Sequence, residues 1–290
     1  MLTLQSLTHI YPRAAAAALD EVTLAFQPGV YGILGPNGSG KTTLMNIITD
    51  TLTPTRGCAE WNGTDVRRLG AQYRSIVGYS PQHQGLYDDF TANRFLWYMA
   101  ALKGLSRADA ARQIEEVLTL VNLRGDAHRR LGAFSGGMKQ LIAQALLGDP
   151  RLLILDEPTA GLDPRERIRI RNFLSEIARD RIVLLATHVV SDVECIAGTV
   201  VLLKKGRVVE ARPTHELLDA IEGRVAALEV ASEDMRTLKG YNVSNLAITG
   251  PGRVEARIVL AEDAPVPEDA RLVRPTLEDV YLYHFGGMEE

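Results

Sequence analysis

Apolar residues in this chain fall into short runs of four to six, separated by turn-forming stretches, over most of its first eighty positions and again from about 150 to 203. Runs of that length, rich in Val, Ile and Leu, predict buried strands. They are Leu2–Ile10, Val22–Phe26, Val30–Leu34, Cys58–Trp61, Ile76–Tyr79, Leu152–Leu155, Ile182–Ala186 and Val200–Leu203. A helix is expected from about Thr42 to Thr51, stopping before Pro54. Between Thr91 and Leu147 the pattern changes to helical spacing, clearest in Arg94–Leu102 and Ala108–Val121. Strands alternating with helices predict an α/β core, with a helical subdomain over about residues 84–150.

Past Arg212 the strand signal weakens, to Ala226–Val230, Ser244–Thr249 and Val254–Leu260. A Pro-rich, acidic segment, Glu262–Asp269, precedes an amphipathic stretch, Leu277–Phe285, which places Leu277, Val280, Tyr281 and His284 on one side. Residues 213–290 therefore read as a small α+β appendage, its last helix serving packing or dimer contact before ligand binding. The run Ala14–Ala18 reads as a tolerant loop.

Composition narrows the classes. The 290 residues suit one large domain with a smaller one, and basic and acidic residues are interspersed at a net charge of −4. Arg129-Arg130 and Lys204-Lys205 are too isolated to form a nucleic-acid surface, so no nucleic-acid partner is expected. No apolar stretch approaches the ~20 residues that cross a bilayer, and no signal segment opens the chain, so a cytoplasmic location is expected. Cys58 and Cys195 are expected to be reduced, buried thiols.

Chemistry enters directly behind the third predicted strand. Gly35-Pro36-Asn37-Gly38-Ser39-Gly40-Lys41-Thr42 is a phosphate-binding loop, GxxxxGK[ST], in its strand-to-helix setting. Its glycines allow successive N–H groups to face an anion, and the helix beginning near Lys41 adds the positive end of its dipole. Lys41 can neutralise the β- and γ-phosphates, and Thr42 can ligate Mg²⁺. The run Leu152–Leu155 ends in Asp156-Glu157, at the strand end that opens onto the ligand crevice of a doubly wound sheet. There Asp156 can hold Mg²⁺ and Glu157 can act as general base. His188, after the strand Ile182–Ala186, can reach a γ-phosphate, and the Gln82 amide could touch both Mg²⁺ and the attacking water. Tyr11 offers a ring to adenine. A second glycine-rich helix start, Ser135-Gly136-Gly137-Met138, implies an anion site shared between two subunits.

Together these motifs resemble the ATP-binding subunit of an ABC transporter, over about Met1–Arg212. Gly35–Thr42 is similar to that family's Walker A, with Thr43 following it, and Leu152–Glu157 to its Walker B. Ser135–Met138 resembles the signature motif, and Ala160-Gly161-Leu162-Asp163 the D-loop. His188 resembles the switch histidine, Gln82 the Q-loop and Tyr11 the adenine-stacking aromatic. The resemblance implies a P-loop NTPase fold and two subunits closing head to tail on ATP and Mg²⁺. Each ATP would lie between Lys41 of one subunit and Ser135, Gly136, Gly137 and Asp163 of the other. A homodimer or a closely related second subunit would drive integral membrane subunits from the cytoplasmic face of the membrane, as a peripheral protein. The surface around Gln82–Tyr98 would meet the membrane partner. The flavour of Ser135–Gln140 and of Pro275–Tyr281 is similar to bacterial exporters.

One departure stands out. The family has about two residues more between the signature serine and the Walker B aspartate than lie between Ser135 and Asp156. In a helix that is ~200° of rotation and ~3 Å of rise. A later helix start, a changed loop near Gly148-Asp149-Pro150 or a misplaced signature end would each follow from it. The alternatives are a soluble ABC-type ATPase or a weakly hydrolysing regulatory subunit. Against the soluble ATPase, the chain has one phosphate loop and no sustained heptads.

Overall fold

The computed structural model describes residues 1–81, 86–143, 147–262 and 264–286. Gln82, expected to be a catalytic and metal-binding residue, lies outside the described residues.

The chain divides into two compact units, Met1–Ala211 and Arg212–Glu290. In the first, the strands are β1 (Leu2–His9), β2 (Leu19–Phe26), β3 (Gly29–Leu34), β4 (Arg56–Trp61), β5 (Thr64–Asp65), β6 (Val77–Ser80), β7 (Leu152–Asp156), β8 (Ile182–Ala186), β9 (Thr199–Lys204) and all but the last two residues of β10 (Arg207–Pro213). The helices are α1 (Lys41–Ile48), α2 (Val66–Leu69), α3 (Ala71–Ile76), α4 (Ala92–Leu102), α5 (Arg107–Leu120), α6 (Gly136–Ala143), α7 (Pro164–Ile177) and α8 (Val190–Ile196).

Two sheets share one core. An antiparallel sheet runs in the order β2-β1-β4-β5, and a six-stranded sheet in the order β10-β9-β3-β8-β7-β6. In the second, β9, β3, β8, β7 and β6 are parallel to their neighbours. All five residues of β8 are buried, which is why it reads as an unbroken apolar run. The alternating pattern of β2 (buried at Leu19, Val22, Leu24 and Phe26) marks a strand with one wet face. Helix α1 lies between the sheets, with Leu44, Met45, Ile47 and Ile48 packed among Leu2, Leu4, Phe26, Ile33 and Leu184. At about 1.5–3 kcal/mol per fully buried aliphatic side chain, this packing anchors the start of the helix, where Lys41 and Thr42 stand.

Helix α8 approaches β3 at Gly32, where a Cβ would fall 2.1 Å from Val193 Cγ1, so only glycine allows this packing. Helices α4 and α5 pack on each other, and no strand interrupts the described residues from 92 to 143. Helix α6 starts immediately after Ser135, so the shortened spacing is not absorbed by a later helix start. Gly148 (φ 82°) and Asp149 (φ 50°) form a left-handed turn before β7.

The second unit contains α9 (Thr214–Ala220), β11 (Val225–Ala231), β12 (Asn242–Gly250), β13 (Arg253–Val259), β14 (Ala270–Leu272) and α10 (Leu277–Phe285). Its sheet is antiparallel, in the order β12-β13-β11-β14. Helix α10 has the bounds expected from the sequence and buries Leu277 and Val280. Its capping box joins Thr276 and Asp279, and the Asp279 carboxylate also accepts hydrogen bonds from Arg257 Nε and Nη2 on β13.

The cysteines correct one expectation. Cys195 is exposed and Cys58 is half-buried. Cys195 stands at the outer side of α8, where the Arg171 guanidinium donates to its sulfur at 3.1 Å.

Candidate functional site: a phosphate loop facing two strand-end carboxylates

The loop from Gly35 to Gly40 leaves β3 and delivers the chain into α1. Gly40, at φ 105°, has no room for a side chain: a Cβ would fall 2.5 Å from the Ala18 carbonyl oxygen. Ser39 is buried, and its hydroxyl has no partner among the described residues. Lys41 Nζ donates to the Gly35 carbonyl at 2.6 Å and the Pro36 carbonyl at 3.0 Å. Burial pulls the Lys41 ammonium below its ordinary range, while Glu157 and Asp156 act in the opposite sense. Thr42 is exposed at the helix start and Thr43 is buried.

Opposite the loop, β7 ends at Asp156. Burial, reinforced by the Glu157 carboxylate, pushes Asp156 above the usual carboxylate range, and Lys41 offsets part of this. The group is a half-buried carboxylate lacking enough positive charge, which suits a cation ligand. Glu157 departs from the strand in a left-handed conformation (φ 53°), and its amide bonds to the Ala186 carbonyl at 2.8 Å. Its carboxylate is then gathered by the end of β8. Oε2 accepts from the Thr187 hydroxyl at 2.9 Å, and Oε1 accepts from the His188 amide at 2.9 Å. The His188 ring stands with Nδ1 2.7 Å from Oε1; its side chain is 74% exposed against 11% for Glu157. The Glu157 carboxylate is thus oriented and nearly buried, beside an imidazole that is mostly exposed.

Tyr11 stands beside the start of α1. Its hydroxyl lies 3.2 Å from Thr43 Oγ1 and its ring meets His9 edge-on, so the ring rests against the helix start.

The second group of expected residues surrounds the start of α6. Ser135 caps the helix, its hydroxyl accepting from the Met138 amide at 3.2 Å. That hydroxyl donates to Glu166 Oε1, and the Glu166 carboxylate covers Gly137 so closely that a Cβ there would sit 2.3 Å from it. Gly136 lies beside Gly161 and Leu162. Asp163 caps α7, accepting from the Glu166 amide at 2.9 Å. The sequence reading did not assign Thr187, Glu166 or α7. Asp163-Pro164-Arg165-Glu166 carried a signal, since an N-cap aspartate, proline at the first helical position and an acid at the third mark a helix start.

The pattern described as ABC transporter matches residues 19–160. The chain is 39% identical over 200 residues to the uncharacterized ABC transporter ATP-binding protein YxlF of Bacillus subtilis (strain 168), covering 68% of this chain and 66% of that protein. It is 34% identical over 197 residues to the ABC transporter ATP-binding protein NatA of the same organism, covering 66% of this chain and 80% of NatA. Against the Nod factor export ATP-binding protein I of Cupriavidus metallidurans (strain ATCC 43123 / DSM 2839 / NBRC 102507 / CH34), identity is 34% over 225 residues, 76% of this chain and 74% of that one. The chain spans slightly under two thirds of YxlF, and only 11% of the mouse ATP-binding cassette sub-family A member 17.

Among solved structures, the ATP-binding subunit of an ABC transporter superposes with a TM-score of 0.67 at 28% identity, covering 76% of this chain and 92% of that one. A dimeric ATP-binding cassette in a post-hydrolysis state, bound to ADP and Pi, gives 0.64 at 26% identity, covering 73% and 98%. The mixed α/β fold is that of the P-loop cassettes, and among the described residues no helix is long and apolar enough to cross a membrane. With its phosphate loop, strand-end carboxylates and glycine-started α6 in place, the chain belongs to the ABC transporter ATP-binding proteins, and its first unit carries their ABC ATPase domain.

Proposed function

We propose that the chain binds ATP with Mg²⁺ in the Gly35–Thr43 loop, hydrolyses it, and powers a membrane transporter through closure of two cassettes. The observation that carries this reading is the held carboxylate of Glu157. It is fixed by Thr187 and His188 at the same crevice as Lys41. In hydrolysis Glu157 takes the proton of the attacking water as its oxygen bonds to the γ-phosphorus. The bond from that phosphorus to the β–γ bridging oxygen breaks, and ADP carries the electron pair away. Lys41 exchanges the Gly35 and Pro36 carbonyls for phosphate oxygens, and the exposed His188 ring turns towards the γ-phosphate. Thr42 and Asp156 would hold Mg²⁺, which neutralises phosphate charge when bound; the raised Asp156 carboxyl fits a cation ligand. Gln82 is assigned to the same metal and to the attacking water.

Tyr11 is assigned to the adenine, after its hydroxyl leaves Thr43. Ser135, Gly136, Gly137 and Asp163 are assigned to the ATP of the opposite cassette. Export is the favoured direction. It is supported by the Ser135–Gln140 and Pro275–Tyr281 sequences and by the similarity to a Nod factor export protein. The proposed place of action is the cytoplasmic face of the membrane, in peripheral association with integral membrane subunits.

The test is Glu157→Gln with ATP and Mg²⁺, read as molecular mass by light scattering. A dimer that forms only with ATP supports closure. A chain that binds ATP yet stays monomeric overturns self-closure and favours the regulatory reading.

A further inference from the structure

A buried carboxylate outside the nucleotide crevice joins three segments that carry the proposed chemistry. Asp192, on α8, is 1% exposed. Its Oδ2 accepts from the hydroxyl of Thr159, itself 2% exposed and two residues beyond Glu157. Its Oδ1 lies 3.6 Å from Arg171 Nη1, and Oδ2 lies 3.9 Å from Arg167 Nε, both on α7. Arg167 Nε and Asp192 Oδ1 are buried without a hydrogen bond among the described residues. A carboxylate buried this deeply is costly unless held by donors and opposite charge, so it constrains whatever supplies them.

Those suppliers are specific. Thr159 belongs to the segment that turns from Glu157 through Gly161-Leu162 to Asp163. Arg167 and Arg171 belong to the helix that Asp163 caps. Asp192 itself begins four residues after His188, on a helix pinned to β3 by Val193 against Gly32. One carboxylate thus fixes the spacing between the element carrying His188, the segment leaving Glu157 and the helix beginning at Asp163. The Arg171 and Arg167 contacts are longer than hydrogen bonds, so Thr159 makes the close one.

We propose that Asp192 is a positioning residue for ATP hydrolysis, acting through Thr159 to hold the segment between Glu157 and Asp163 in register with His188. The inference rests on the hydrolytic reading of Glu157 and His188. It predicts a defect in turnover and not in nucleotide binding, because the hydrogen bond and ion pairs of Asp192 link it to Thr159 and α7.

The experiment compares the full chain with Asp192→Asn, Thr159→Val and the double variant. It measures ATP affinity by titration calorimetry, steady-state kcat and KM, and melting temperature. The expected result is about a tenfold loss of kcat in each single variant at unchanged KM and ATP affinity. The double variant should be no worse than the weaker single, because the two residues act as one contact. An isosteric Thr159→Val that keeps native turnover overturns the inference, even if Asp192→Asn fails to fold. So does an additive double variant, or a loss of turnover that tracks lost ATP affinity. Failure of the underlying reading looks different: a native chain whose turnover is unchanged by Glu157→Gln has another catalytic base, whatever Asp192 does.

Discussion

Glu157 Oε1 is contacted twice by one residue, the His188 amide at 2.9 Å and the His188 ring at Nδ1 2.7 Å away. The backbone contact orients the carboxylate permanently; the ring contact can be given up, since the imidazole is mostly in solvent. Replacing His188 with Ala should leave Glu157 in place through the amide and Thr187. We expect kcat to fall by about 10²–10³-fold, the usual cost of removing one donor to developing charge, with ATP affinity changed by less than about threefold. Phosphate release under saturating ATP, set beside equilibrium nucleotide binding, checks this. Equal losses in both would assign His188 to binding alone.

The carboxylate of Glu166 sits on Ser135 and Gly137, where the phosphate of an opposing ATP is proposed to land. Two anions cannot share one helix end cheaply. In a Glu157→Gln background, Glu166→Gln should therefore lower the ATP concentration needed for dimer formation by about three- to tenfold, corresponding to about 0.7–1.4 kcal/mol. The check is light scattering across an ATP titration. An unchanged midpoint would show that the carboxylate moves aside without cost.

Gly40 is predicted to be intolerant of any side chain. Gly40→Ala sets a Cβ against the Ala18 carbonyl in a left-handed conformation, at a cost of about 1–3 kcal/mol. Gly38, with open space around it, should tolerate the same change with a smaller shift. Thermal melts of the two variants, with binding of a fluorescent ATP analogue, would separate them.

In the second unit, Asp279 should set an acid limit. Burial acts to raise its carboxyl, but hydrogen bonds from Arg257, Ser244 and Thr276 outweigh burial and hold it below the ordinary value of 3.8. A depressed carboxyl contributes stability that is present above its unfolded value and lost as pH falls through its folded one. The window therefore opens near pH 3.8 and extends downward. Asp279→Asn should remove that acid dependence and destabilise the unit by about 3 kcal/mol at neutral pH, because Arg257 loses its buried partner. Hydrogen exchange of β13 amides from pH 3 to 7 would test both.

Much of this was legible in the sequence where one local rule sufficed. The Gly35–Thr42 loop, the run ending at Asp156-Glu157 and the Ser135 helix start each announce themselves through composition at fixed spacing. Strand β8 was readable because burial on both faces leaves no polar residue within it. Strand β10 was not, because its exposed positions break the apolar pattern. Helix α7 was missed for a related reason: Arg165, Glu166, Arg167, Arg169 and Arg171 crowd its first two turns, although its caps and the helical spacing of Ile170, Phe173, Leu174 and Ile177 both mark it. What no local rule supplies is partnership. That Thr187 and His188 hold Glu157, or that Asp192 meets Thr159, depends on chain segments about thirty residues apart.

The pairing of Asp156 with Ala186 across β7 and β8 has a consequence for where catalysis is encoded. The last rung of that ladder sets the next residues, Glu157 on one strand and Thr187-His188 on the other, side by side. A slip of β8 by a single residue would offer Val189 in place of His188 and turn its five apolar side chains to the wrong faces. The alignment of the proposed base with its histidine is therefore inherited from the hydrophobic core: Val183, Leu184 and Leu185, which never meet a nucleotide, act as its ruler.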